Sequence, residues 1–189
     1  MFGLPPLPGW DGLHPLIVHF PVALLIVVPL FILLGLLRQP WRRAMMTSAL
    51  LLMVLGTAAT WVAVPTGEAA GKLAERSTAM NLVLEKHESL AETTRTLFTI
   101  LTVIFAVMLI GLKSLKREAE LAPTLAVHVP FLALYLAGLL VLANTAHNGG
   151  RLVHEFGTLA MSTGAGAPAA EAAPGVETPA AERPGDGDD

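Results

Sequence analysis

The stretch LIVHFPVALLIVVPLFILLGLL, residues 16–37, decides the fold. It matches the roughly 20 apolar residues needed to cross a hydrocarbon core, and it contains no Asp, Glu, Lys or Arg. Three further runs of similar length follow, Ala44–Val64, about Ala91–Leu112 and Thr124–Thr145. A chain that is 53% hydrophobic and only 14% charged carries more apolar side chains than a soluble domain keeps dry. The expected architecture is therefore all-α, a polytopic membrane four-helix bundle. Residues 1–15 read as an interfacial N-terminal segment holding Trp10, residues 16–160 as the transmembrane domain, and residues 161–189 as a disordered, acidic tail rich in Ala, Pro and Gly.

The first run is not preceded by a positive n-region and is longer than a signal-peptide core, so it is expected to stay in the mature protein. Orientation follows from two short basic connections, RQPWRR at 38–43 and KSLKREAE at 113–120. The positive-inside rule puts both in the cytoplasm and both termini outside, in the periplasm if the membrane is a bacterial inner one. Five of the six histidines, His14, His19, His87, His147 and His154, then gather at the outer ends of the helices.

Prolines shape the first span. Pro15 suits a first helical turn and pushes His14 away from helical geometry, while Pro21 and Pro29 each remove a backbone hydrogen bond that a neighbouring helix must replace. The second span carries Gly56, Thr57, Ala58, Ala59 and Thr60, small residues that allow close helix approach. It is expected to be central and to end at Pro65. The segment 66–94 then forms a large outer connection, with an amphipathic helix leading into the third span. The fourth span reaches Gly149 and Gly150, which end or bend it.

No cysteine is present, which removes disulfide and thiolate chemistry and covalent haem attachment. Phosphate-loop, dinucleotide, zinc-protease and serine-hydrolase motifs are missing too, and nothing is basic or aromatic enough for nucleic acid. What is left is the histidines. His19 lies one turn into an apolar run, where an ionisable ring is costly and signals a site; a bond to a carbonyl freed by Pro15 or Pro21 explains it equally well. His87 with Glu88, and Glu68, combine imidazole and carboxylate on one membrane face, as ligands with the groups that orient them or as a solvated helix face. His147 and His154 flank the Gly149–Gly150 pair, where a flat cofactor or another backbone could come close. His128 and Asn144 are expected to bond across helices.

Four motifs carry a resemblance: HPLIVHFPVALL at 14–25, TGEAAG at 66–71, HESLAE at 87–92 and HNGGRLVHEFG at 147–157. In this order they resemble the bacterial four-span membrane family catalogued as domain of unknown function 2231. The resemblance implies no established activity. Relatives carry the domain beside cytochrome c modules, which implies haem b held by His14, His19, His87 and His147, with Glu68, Glu88, Gly149 and Gly150 around it. His154 stands behind these four, because it occupies the place where many relatives have Tyr, and Phe156 the place of their His.

Three functions follow as expectations. The first is haem b binding and electron transfer to a redox protein such as a cytochrome c. The second is a non-catalytic membrane assembly subunit whose histidines are structural. The third is a divalent metal site built from the same histidines plus Glu68 or Glu88.

Overall fold

The computed structural model describes residues 9–73, 77–116 and 120–157. The acidic tail and the first eight residues lie outside them. A 3-10 turn at Asp11–Leu13 leads into α1 (His14–Ile17) and α2 (His19–Leu37), and a second 3-10 turn, Gln39–Trp41, into α3 (Arg42–Leu73). Two long helices complete the chain, α4 (Thr78–Ser114) and α5 (Leu121–His154). Among the described residues there is no strand. The four helical segments His14–Leu37, Gln39–Leu73, Thr78–Ser114 and Leu121–His154 are each long and apolar enough to cross a membrane.

The helices run up and down around a ring. α2 packs on α3, α3 on α4, α4 on α5, and α5 returns to α2. Buried side chains fill the middle, among them Leu25, Ile32, Met53, Phe98, Phe105 and Tyr135. α3 is as central as its small residues imply: a Cβ on Gly56 would fall 2.8 Å from the Leu25 side chain. Beside it the Thr57 hydroxyl lies 2.9 Å from that of Thr102 and donates to the Phe98 carbonyl at 3.3 Å, tying α3 to α4.

Proline explains two backbone features. Pro21 has no N–H to offer the Ile17 carbonyl, and the first span is interrupted just there, at Val18 between α1 and α2. Pro29 likewise leaves the Leu25 carbonyl without its helical donor. The buried Tyr135 hydroxyl of α5 supplies the missing bond, donating to Leu25 O at 2.9 Å. Tyr135→Phe orphans that carbonyl, and its expected cost is about 1–2 kcal/mol, read as a lowered melting temperature in detergent. In a Pro29→Ala background the carbonyl regains a helical N–H, so the same change is expected to cost measurably less.

Three expectations about helix ends and polar side chains are corrected. α3 does not stop at Pro65 but continues to Leu73, so the first part of the expected outer connection is helix. The proline removes one bond, while Thr66 Oγ1 donates back to Val62 O and Ala63 O and the packed α1 holds the turn. α5 passes through Gly149 and Gly150 to His154, because Leu152 beyond them is buried against Met80, Val83 and Leu84 of α4. The amphipathic helix expected before the third span exists as the first turns of α4 itself. Finally, His128 and Asn144 bond within their own helix, to Thr124 O at 2.8 Å and Leu140 O at 2.9 Å. Phe105 of α4 fills the space across from His128, with ring centroids 5.7 Å apart.

The 37 residues of α4 span roughly 55 Å at about 1.5 Å per residue, against a hydrocarbon core of about 30 Å. Arg42, Arg43 and Lys113 mark the headgroup zone at one end, so the surplus projects at the other. There the small cluster of Met80, Val83, Leu84 and Leu152 forms a second core. His14 and His87 lie between the two cores.

Candidate functional site

His14 opens α1 in helical geometry, φ −52° and ψ −50°, although Pro15 follows it. Its ring is what anchors this turn. Nδ1 donates to the Ala63 carbonyl of α3 at 2.9 Å, with Thr66 Oγ1 at 3.3 Å. The ring lies over Gly67, one helical turn past Ala63, so closely that a Cβ there would come within 2.7 Å of His14 Cε1.

His87 repeats this arrangement in the second hairpin. Its Nδ1 donates to the Thr145 carbonyl of α5 at 2.9 Å, and its ring lies over Gly149, one turn further on, where a Cβ would come within 2.9 Å of Cε1. The Thr94 and Thr145 hydroxyls, 2.8 Å apart, clasp α4 to α5 beneath it. Each hairpin thus places a histidine from its first helix against a carbonyl and a glycine of its second. The sequence shows this repeat only as Thr66–Gly67 and Asn148–Gly149, two dipeptides too short to be noticed.

The two rings meet. Their centroids are 6.4 Å apart and their planes stand at 83°. Because each Nδ1 carries the proton it donates to a carbonyl, each neutral ring leaves a lone pair on Nε2. The hydrogen bonds of both rings among the described residues are made through Nδ1, and the Glu88 carboxylate lies close enough to act electrostatically on His87. Next to the His87 cradle, the Asn148 Oδ1 is buried without a hydrogen-bond partner, an arrangement that calls for a water, an ion or a ligand group.

Of the other residues read from the sequence, Glu88 acts electrostatically on His87. His19, His147 and His154 are exposed, as is Glu68. Glu88 is half-buried and its Oε1 lies 3.2 Å from where a Gly71 Cβ would stand, so it rests on α3. Gly149 makes room for the His87 ring, and Gly150 faces open space. Among the described residues no three His, Asp or Glu side chains converge as a metal would need. Ala63, Gly67, Thr145 and Asn148 had no chemical signal in the sequence: Ala63 and Thr145 act on the rings through a carbonyl, Gly67 through the space of an absent side chain, and Asn148 offers a side-chain oxygen.

Residues 11–161 match the family described as predicted membrane protein, DUF2231. No curated protein and no solved structure shows a significant match to the chain.

Proposed function

The chain belongs to the DUF2231 family of predicted membrane proteins, and we propose that within it His14 and His87 are the two protein ligands of a haem b that carries electrons at the outer face of a bacterial inner membrane. The observation that carries this reading is the pair of tethered imidazoles. Each is oriented through Nδ1 by a backbone carbonyl, the arrangement that fixes a ligating histidine, and each keeps Nε2 for a metal. The two ring centroids lie 6.4 Å apart, so both imidazoles could hold one group between the hairpins.

The number of ligands supports haem over zinc. Haem would need only two side chains from the protein, whereas a structural zinc site asks for four. When bound, the group would supply one-electron transfer. The chain's part is to hold both rings and present the site to a soluble redox protein such as a cytochrome c. The basic connections 38–43 and 113–120 support an orientation with both termini on that protein's side.

The same hydrogen bonds favour a second reading, a non-catalytic assembly subunit in which His14 and His87 staple each hairpin closed. An absorption spectrum of the full chain, purified in mild detergent from haem-replete cells, separates the two. A dithionite-reduced-minus-oxidised haem b spectrum at one haem per chain is expected. A colourless protein without stoichiometric metal overturns the ligand reading and leaves the staple.

A further inference from the structure

At the opposite end of the bundle a half-open cavity of about 460 Å³ lies between α3, α4 and α5, within the roughly 300–1,000 Å³ of ligand pockets. Its wall is divided by chemistry. Arg42, Arg43 and Lys113 contribute positive charge and, among the described residues, no carboxylate lines it, while Leu50 and Leu109 contribute an apolar flank. Arg42 is itself buried and bonds from Nε to Gly35 O at 3.4 Å, among other contacts.

A second observation points to a ligand. His128 also lines the cavity, is fully buried, and its Nε2 has no hydrogen-bond partner. With Nδ1 donating to Thr124 O, the neutral ring offers Nε2 as an acceptor, so the missing partner is a donor such as a hydroxyl. Cations for a phosphate, an acceptor for a hydroxyl and an apolar wall for a chain together describe one molecule.

We propose that this cavity is a binding site for an anionic phospholipid with a hydroxylated headgroup, of the phosphatidylglycerol type. Arg43 and Lys113 face the phosphate from the mouth, Arg42 from the wall, and an acyl chain lies along Leu50 and Leu109. Basic pockets between spanning helices are where anionic headgroups are captured. The site does not depend on the His14–His87 pair, which lies at the other end.

Native mass spectrometry of the full chain in detergent tests this, with phosphatidylglycerol, phosphatidylcholine and inorganic phosphate as separate probes. Phosphatidylglycerol is expected to be retained selectively. The double variant Arg43→Gln/Lys113→Gln, two exposed positions whose loss leaves the core intact, is expected to weaken it about 30-fold, which corresponds to roughly 1 kcal/mol for each cation. His128→Phe, which keeps a ring in place, is expected to weaken it about 5-fold through the lost acceptor. Equal retention of phosphatidylcholine, equal binding of inorganic phosphate, or a double variant that binds like the parent overturns the assignment.

Discussion

His14→Ala and His87→Ala are each expected to abolish the haem absorbance of the purified protein, while His19→Ala and His147→Ala leave it in place. The contrast follows from which rings the fold brings together. The His14 and His87 rings meet edge-on with tethered Nδ1 atoms, whereas His19 and His147 are exposed. If the two rings hold a haem as proposed, losing either would remove half of the protein's hold on it, so the difference spectrum is expected to disappear rather than weaken.

An alanine change also deletes the hydrogen bond to Ala63 O or Thr145 O, which would lower stability by about 0.5–1.5 kcal/mol whatever the ring's function. Asparagine separates the two effects. His14→Asn and His87→Asn carry an amide N–H where Nδ1 stood and nothing where Nε2 stood. They are expected to keep the parent's melting temperature as apoproteins and still lose the spectrum. Asparagine variants that retain the spectrum would overturn ligation by these rings. If an alanine at His19 or His147 abolishes it instead, the site is built from rings that the fold holds apart.

The second large effect concerns the glycines beneath the rings. Gly67→Ala and Gly149→Ala are expected to destabilise the protein by about 1–3 kcal/mol, the range for overpacking a close contact. A Cβ at either position would stand within 2.9 Å of a histidine carbon, and the ring cannot swing away without giving up its carbonyl. Valine at either site is expected to displace the ring altogether and to remove the haem spectrum with it. Gly150→Ala provides the internal control. It sits one residue from Gly149 in the same helix, has open space where its Cβ would go, and is expected to gain about 0.5–1 kcal/mol from helix propensity. Opposite signs at adjacent glycines, read as melting temperatures in one detergent, are the diagnostic. If Gly149→Ala and Gly150→Ala move stability alike, the ring does not pack on Gly149 as described.

Much of the fold was legible in the sequence because its signals are local. An apolar run of about 20 residues states its own demand for a hydrocarbon environment, and four of them with short basic connections leave few arrangements. Pro29 announced an unpaired carbonyl, and small residues from Gly56 to Thr60 announced a close helix contact. Helix ends were harder. Pro65 and the Gly149–Gly150 pair are breakers in isolation, but Thr66 and packed α1 sustain one helix and buried Leu152 the other. Tertiary contacts there outweigh a local cost of a few kcal/mol.

The sequence by itself determined an all-α membrane protein of four spans and the family it belongs to, and it singled out the histidines as candidates. Only the tertiary structure decided which of them meet. Whether two rings meet depends on the rotation of each helix about its axis and on register between remote segments: His14 reaches a carbonyl 49 residues away and His87 one 58 residues away. Those angles are set by glycines, threonines and backbone carbonyls on the receiving helices, groups that carry no chemical label of their own until packing gives them a partner.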